Sequence, residues 1–247
     1  MATIRCLLES DLGDCMRLKA AAGWNQTLAD WRALLRCAPL GCFGIEEEGR
    51  VAATATAIVN GDVGWVGMVL TDPLFRGRGF ATALLKCCLD YLDSRVKTVK
   101  LDASAEGEPL YRKLEFAEEA VIERWVCMGV AEGALATGSY TGRLRHADIP
   151  LDAVAECNGA WAGCRAGSSS WYFGPCYGLD SDSVEIVARA LLAGRGRAYW
   201  DLFPSHAAAG VAGRLGFAPA RRLLRMVRGR AAPTDGDVYA ISGFEWG

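Results

Sequence analysis

The stretch FRGRGFATALL, residues 75–85, combines two glycines and two arginines with a run of residues that favour helix. Asp72-Pro73 comes just before it and ends a β-rich segment, because proline cannot continue the hydrogen bonding of a strand. In a strand–loop–helix connection of this kind, glycines let backbone N–H groups converge and the helix N-terminus favours negative charge. The stretch therefore predicts a site for a phosphate-bearing ligand at the start of the helix.

Two other nucleotide-binding loops and one structural explanation compete with this interpretation. A Walker A loop is excluded because no Gly-Lys-Ser/Thr follows. A dinucleotide fingerprint would need a third glycine where Thr82 stands, and βαβ units where the sequence has hairpins. A plain glycine-rich turn with solvated arginines would cost backbone entropy without any gain in packing.

Length and composition limit the class of protein. The chain has 247 residues, 51% of them hydrophobic, and a net charge of -2, which suits a globular chain of one large or, as we favour, two small domains. The near-zero charge gives no indication of binding to nucleic acid or to an anionic membrane. The sequence has no apolar run of about 18 residues, and acidic residues interrupt its start, MATIRCLLESDLGDC. We therefore expect a cytoplasmic protein.

The cysteines, the histidines and one basic segment give no clear site. The ten cysteines are scattered without a CxxC pair, so we interpret them as free and mostly buried thiols. His146 and His206 lack a spaced Cys, Asp or Glu partner, and we expect no metal. RRLLRMVRGR, residues 221–230, could be a basic patch, but strand alternation would leave its arginines as a solvated face.

The first half has a regular order of predicted elements. We predict a strand over 3–7, a helix over 10–22 and a second helix capped by Thr27. Runs of β-branched and aromatic residues, split by EEGR and NGD, predict an antiparallel meander that ends at Asp72. A helix over 79–94, a strand at TVKLDAS, a short helix around Tyr111 and a strand through AVIERWVCMG should follow.

These elements resemble the GNAT superfamily of acyl-CoA-dependent N-acetyltransferases. RGRGFA, residues 76–81, fits the family signature Arg/Gln-x-x-Gly-x-Gly/Ala, and VLTDPLFRGRGFATALL resembles its cofactor segment. ASAEGEPLYRKLEF resembles the family's closing helix, although Glu115 replaces the usual glycine before Phe116. The resemblance implies an α/β (α+β) fold, with a GNAT-like mixed central sheet flanked by helices.

The resemblance also implies acetyl-CoA as co-substrate. In GNAT enzymes the pyrophosphate of coenzyme A sits on backbone amides of the loop, and the pantetheine arm pairs with the splayed strand before it. The implied cofactor-binding residues are Met68, Val69, Leu70, Arg76, Gly77, Arg78, Gly79, Phe80, Ala81 and Thr82.

Tyr111 matches the family's tyrosine that protonates the leaving thiolate, and a phenol held near the sulfur is a reasonable general acid. A buried aromatic on an amphipathic helix is the alternative for Tyr111. The general base is not evident, because GWVGMVL has no carboxylate and only Asp62 and Asp72 stand at its two ends. Water could carry the amine's proton instead.

Four residues are candidates for contact with the acceptor substrate. Trp24 and Asn25 lie in the connection between the first two helices, which covers the acceptor site in this family, although a helix-to-helix turn would explain them too. Asp102 and Ser104 lie on the strand after the cofactor helix and could line the cleft, although Asp102 could equally stabilise its own loop.

The second half repeats the order of the first, which indicates an internal duplication. Its copy has lost the functional positions: Tyr111 falls on Ala212, and WYFGPCYGLDSDS lacks both the arginines and the GxG pair. We predict a helix over 151–161 and the loss of most of the hairpin strands. With GWNQTLADW, this arrangement resembles a bacterial group of two-domain acetyltransferases. We therefore expect an acetyl-CoA-binding GNAT domain over 1–131, a linker near 132–140 and a degenerate GNAT-like domain over 141–247.

The resemblance implies transfer of an acetyl group to a primary amine of a small molecule by direct attack, because no cysteine lies on a motif position. The alternative is a non-catalytic acyl-CoA-binding sensor. We expect a monomer or homodimer without a nucleic acid or membrane partner. The second half should pack on the first with pseudo-twofold symmetry and should wall the acceptor cleft through Trp161, Trp171 and Tyr172.

Overall fold

A mixed sheet of 12 strands runs through both halves of the chain. The computed structural model describes residues 2–133, 138–139, 149–230 and 236–247. Helices flank the sheet, so the expected fold class is confirmed. His146 and most of the predicted linker over 132–140 lie outside the described residues.

The first half forms the elements that its sequence predicts, in the predicted order. Thr27 caps the second helix as expected: its hydroxyl accepts from the Asp30 N–H at 3.4 Å, and the Asp30 carboxylate accepts from the Thr27 N–H at 2.7 Å. The elements are β1 (Thr3–Cys6), α1 (Leu12–Ala21), α2 (Leu28–Cys37), β2 (Cys42–Glu47), β3 (Arg50–Asn60), β4 (Val63–Thr71), α3 (Phe80–Asp93), β5 (Thr98–Ala103), α4 (Glu108–Lys113) and β6 (Ala117–Cys127).

The second half forms a similar series, and its hairpin strands are present. The elements are β7 (Ala153–Cys157), β8 (Ala160–Ala166), β9 (Trp171–Gly178), α5 (Ser181–Leu192), β10 (Ala198–Leu202), α6 (Ala208–Arg214), β11 (Ala218–Gly229) and β12 (Val238–Ala240).

The prediction of a helix over 151–161, with loss of the hairpin, is wrong. Residues 153–157 and 160–166 pair as an antiparallel hairpin, with Cys157 opposite Ala160 across the Asn158-Gly159 loop. The strands consist largely of small apolar residues, which pattern alone does not separate from a helix. Ala160, Ala162 and Cys164 alternate into the core beneath α5, and this tertiary packing decides for strand.

The strand order is nearly symmetric about the centre of the sheet. It runs β1-β2-β3-β4-β5-β11-β6-β10-β9-β8-β7, with β12 paired to β9. β11 of the second half pairs antiparallel with both β5 and β6 of the first half, and β6 pairs antiparallel with β10. β11 therefore lies between β5 and β6 of the first half, and β6 lies between β11 and β10 of the second half. One sheet thus joins both halves.

Two equivalent ion pairs cross this strand exchange. Arg225 on β11 donates from Nε and Nη2 to the two oxygens of Asp102 on β5, at 2.9 and 3.0 Å. Arg124 on β6 donates in the same way to Asp201 on β10, at 2.7 and 2.6 Å. All four side chains are largely buried. The expectation that the arginines of residues 221–230 form a solvated face is therefore wrong for Arg225, because a buried carboxylate pairs with it.

A buried arginine ties the two halves to the C-terminal segment. Arg165 on β8 is 1% exposed. It donates to Asp30 on α2 at 3.0 Å, to Glu245 at 2.6 Å and to the carbonyl of Ser242 at 2.8 Å. One guanidinium therefore holds the first half, the second half and the end of the chain together.

We expect Arg165→Met to lower the free energy of unfolding by about 3–5 kcal/mol, because Asp30 and Glu245 would stay buried without their counter-charge. Arg32→Met is the matched control, since Arg32 lies on the same helix as Asp30 but is half-exposed and pairs with exposed Glu9. Its effect should stay within about 1 kcal/mol. Denaturant unfolding followed by circular dichroism measures both values. Equal losses in the two variants would contradict a joint at Arg165.

Candidate functional site

A gap opens in the sheet where β4 and β5 diverge. The two strands pair in parallel only where Val63, Gly64 and Trp65 face residues 98–100. β4 continues to Thr71 and β5 to Ala103, so their C-terminal parts separate. An extended ligand can pair with a strand edge of this kind through main-chain hydrogen bonds.

A bulge at Met68 accompanies the divergence. Met68 has a φ of 49°, in the left-handed region that non-glycine residues rarely adopt. The register between β3 and β4 shifts at this point, and the Thr54 hydroxyl donates to the Met68 carbonyl at 2.8 Å. Bulges of this kind bend a strand and recur beside functional sites. The bulge lies within the segment 68–70 that the sequence analysis assigns to the cofactor.

The glycine-rich loop continues from β4 to the N-terminus of α3. Gly77 and Gly79 have φ values of 76° and 79°, which explains why these positions favour glycine. Arg76 is more than half exposed, whereas Arg78 donates to Glu47 at 2.9 Å and lies over the rings of Phe75 and Phe80. The first N–H groups of α3 have no partner within the helix and can bind an anion.

The gap, the loop and the closing helix line one cavity of about 780 Å³. This volume suits a small-molecule ligand. The cavity brings together most of the residues that the sequence analysis assigns to a site, namely Met68, Val69, Leu70, Arg76, Gly77, Gly79, Phe80, Ala81, Thr82, Tyr111, Trp24, Asp102 and Ser104. Arg78 and Asn25 do not line it.

Tyr111 lies at the cavity wall with 9% of its surface exposed. Burial raises the pKa of its phenol to about 12, so the hydroxyl stays protonated at neutral pH. The ring packs edge-on against Phe116. Glu115 adopts a φ of 67°, close to the 82° of its counterpart Gly216, so the end of α4 keeps the turn that a glycine would form.

Three candidate acceptor residues line the cavity, but they differ in whether their side chains already have hydrogen-bond partners. Trp24 lines the cavity, and so does Ser104, whose hydroxyl accepts from the Gly107 N–H at 3.3 Å. The side chain of Asp102 is 0% exposed, and both of its oxygens accept from Arg225. Asp102 therefore supports the wall and has no carboxylate oxygen without a partner.

Asn25 has a structural position outside the cavity. Its side-chain oxygen Oδ1 accepts from the backbone N–H groups of Ser169 and Ser170. Its side-chain nitrogen Nδ2 donates to the Ser170 carbonyl at 2.9 Å. The side chain is 3% exposed. The structure therefore does not support the prediction that Asn25 contacts substrate, because its amide is used to bind the β8–β9 loop.

The second half and the C-terminal segment contribute residues that the sequence analysis did not select. These lining residues are Arg221, Leu223, Phe244 and Glu245, and Gln26 and Arg124 of the first half also line the cavity. No local motif marks them, because contacts between positions far apart in sequence bring them to the cavity. The three predicted wall residues lie elsewhere: Trp161 stacks on Tyr177, Trp171 contacts Arg195, and Tyr172 is buried beside Arg165.

Glu245 is a buried carboxylate that lines the cavity. One oxygen accepts from Arg165 and the other accepts from the amide of Gln26 at 2.7 Å. Burial raises the pKa of the Glu245 carboxyl. A Cβ at Gly67 on β4 would lie 3.1 Å from the Glu245 Cα, so glycine lets the C-terminal segment approach the strand.

In the second half, the position equivalent to this site is occupied by the protein's own residues. β9 and β10 pair in parallel at Trp171–Phe173 and Ala198–Trp200 and then diverge, as β4 and β5 do. β12 lies in this gap: it pairs with β9, and its Tyr239 carbonyl accepts from the Trp200 indole at 2.8 Å. The carboxylate of Asp180 caps α5 and accepts from the Ser183 N–H at 2.8 Å, which lowers the pKa of Asp180. Protein groups therefore occupy both the gap and the helix N-terminus.

Other candidate sites are structural. Within the described ranges, no group of three or more His, Cys, Asp or Glu side chains could hold a metal ion. The ten cysteines are free thiols, as predicted. One ring nitrogen of His206 contacts the Gly236 carbonyl and the other accepts from the Ala208 N–H. None of the helices in the described part of the chain has the length and apolar content to cross a membrane.

Part of the chain matches known acetyltransferases in sequence. Residues 8–116 match the model of the acetyltransferase (GNAT) family. An uncharacterized N-acetyltransferase of Methanocaldococcus jannaschii is 30% identical over 147 residues, and the match covers 51% of this chain and 65% of that protein. The chain thus spans just under two thirds of that relative's length.

Solved structures resemble the chain in fold. A Pyrococcus horikoshii protein, provisionally assigned as an acetyltransferase, has a TM-score of 0.85 at 14% identity. The match covers 100% of this chain and 96% of that one. A GCN5-related N-acetyltransferase from Kribbella flavida has a TM-score of 0.55 at 14% identity, and the match covers 93% of this chain and 72% of that one. At these identities the likeness shows the fold alone.

Replacing both Arg76 and Arg78 by alanine should weaken the binding of coenzyme A at the loop. One charge-assisted hydrogen bond is worth about 1.5–3 kcal/mol, so we expect the Kd to rise roughly 10- to 100-fold. Arg76→Ala alone should account for most of the effect, because Glu47 already pairs with Arg78. Titration calorimetry measures the Kd, with Arg95→Ala beyond the far end of α3 as the control. An unchanged Kd in the double variant would refute the assignment.

Proposed function

We propose that the chain is a GNAT-family acetyltransferase, because residues 8–116 match that family's model, and that it transfers an acetyl group from acetyl-CoA to a primary amine of a small molecule. The observation that carries the proposal is the single cavity that joins the open gap, the N-terminus of α3 and Tyr111. The expected cytoplasmic location and a monomeric or homodimeric state are part of the same proposal.

The residues of the first half fit coenzyme A. The backbone N–H groups at Gly77, Gly79 and the first turn of α3 would hold its pyrophosphate, because Cβ-free positions there leave open space. The edge of β4 at residues 68–70 would hold its pantetheine arm. Bound there, acetyl-CoA supplies an activated thioester.

Tyr111 is proposed as the general acid. Its phenol lies at the cavity wall and forms no hydrogen bond to any described residue, so its proton is available to the leaving sulfur. The raised pKa keeps that proton in place until negative charge develops on the sulfur.

The attacking amine should lose its proton to water. Of the three carboxylates that line the cavity, Asp102 and Glu245 are ion-paired, and exposed Glu106 lies 4.0 Å from Arg76. Asp72 at the end of β4 is buried, pairs with Arg17 and does not line the cavity. The acceptor must therefore reach the cavity as a neutral amine, and its acetylation should rise with pH until the amine is deprotonated.

A thiol-release assay with acetyl-CoA and a panel of amines, amino acids and polyamines tests the proposed reaction. Release of thiol that depends on one class of amine is the expected result. Micromolar binding of coenzyme A by calorimetry without turnover on any amine would instead support the non-catalytic sensor.

We expect Tyr111→Phe to lower kcat roughly 10²–10⁴-fold, because it removes the proton donor and keeps the ring. The decrease should be the same from pH 7 to 10, since the wild-type phenol has a pKa of about 12. Tyr91→Phe is the matched control, because Tyr91 is half-buried on α3 but does not line the cavity. Single-turnover thiol release measures the chemical step, and a wild-type rate in Tyr111→Phe would make Tyr111 a packing residue.

A further inference from the structure

Two arginines stand directly opposite each other at the cavity. Arg124 on β6 and Arg221 on β11 are partners in the antiparallel register, and both line the cavity. Like charges in directly opposed positions destabilise a sheet. The pair therefore needs a compensating negative charge.

The protein supplies that charge for only one of the two. Asp201 binds Nε and Nη2 of Arg124, and the described residues offer no hydrogen-bond partner to its Nη1. Arg221 forms no ion pair or hydrogen bond with any described residue. Arg221 is exposed at the cavity. Desolvation of its guanidinium and the neighbouring Arg124 charge lower the pKa of Arg221, and the charge of Asp201 offsets part of this effect.

The acidic residues at or near the cavity each have an arginine partner, but two of them share one arginine. Arg225 neutralises Asp102, whereas the single guanidinium of Arg165 serves both Asp30 and Glu245. The C-terminal segment brings the Glu245 carboxyl group beside Gly67 on β4, and Arg221 brings a guanidinium without an ion pair from β11. A ligand with separated charges of both signs would complement this arrangement.

We propose that Arg221, together with Nη1 of Arg124, binds a carboxylate on the acceptor, so that the acceptor is an amino acid or another amine that carries a carboxylate. Guanidinium groups suit this task because their planar N–H forks match carboxylate geometry. The amine end would then point toward β4 and Glu245. This inference deepens the proposed function and rests on it.

The test compares amino acids with their carboxamides as acceptors, such as glycine with glycinamide and β-alanine with β-alaninamide. Wild-type protein should prefer the carboxylates by roughly 10- to 100-fold in kcat/KM for the neutral amine, the value of one charge-assisted contact. The values are calculated per neutral amine because a carboxamide lowers the pKa of the neighbouring amine. Arg221→Ala should remove this preference by slowing only the carboxylates, and Arg221→Lys should restore part of it. The Kd for coenzyme A should not change, which separates an acceptor subsite from a contact to the cofactor's own phosphates.

Arg222→Ala is the matched control, since Arg222 is the next residue, is exposed and does not line the cavity. It should behave as wild type with every acceptor. The inference is overturned if wild-type protein acetylates carboxamides as well as carboxylates per neutral amine, or if Arg221→Ala keeps the preference.

Failure of the proposed reaction can be told apart from failure of this inference. If no amine is acetylated, the same amino acids are titrated into the protein saturated with coenzyme A. Binding that Arg221→Ala abolishes and Arg222→Ala keeps would support the carboxylate subsite without catalysis. Absence of binding by wild-type protein would overturn the subsite.

Discussion

The exchanged strands β6 and β11, with their two buried arginine–aspartate pairs, are the constraint on which the rest of the structure depends. Arg225 reaches Asp102 of the other half, and Arg124 reaches Asp201. Removing one partner of such a pair leaves a buried charge uncompensated, which costs far more than an exposed pair is worth. The pairs fix the register of the central strands, and this register brings Arg124 and Arg221 to the cavity of the first half. The same two ion pairs thus stabilise the contact between the halves and determine which residues line the cavity.

The two halves share one architecture but differ in whether the gap between their parallel strands is open. Between β4 and β5 the gap leads to a glycine-rich loop and a helix N-terminus without a side-chain cap. Between β9 and β10 the gap contains β12, and the carboxylate of Asp180 caps the adjacent helix. A carboxylate at that place repels a phosphate and satisfies the N–H group that would bind it. The segment after β12 then runs to the first half, where Phe244 and Glu245 line the cavity.

Local chemistry explains what could be predicted from the sequence. The RGRG loop, the Thr27 cap and the order of elements in the first half depend on residues within a few positions of one another, and the structure has them as predicted. The hairpin over 153–166 was not predicted because its small apolar residues fit the period of a helix as well as that of a strand. Only packing against α5 favours the strand conformation. Arg225, Arg221 and Glu245 acquire their roles from partners more than 100 positions away or from the cavity that those contacts create, and no local pattern encodes such a role.

Within the described residues, we propose that only the first half has a free site for coenzyme A, because β12 and Asp180 occupy the equivalent position in the second half. Calorimetric titration of the intact chain with coenzyme A tests this claim most directly, because it gives the number of sites without assuming an acceptor. We expect one molecule of coenzyme A per chain. Two equivalent sites per chain would contradict it.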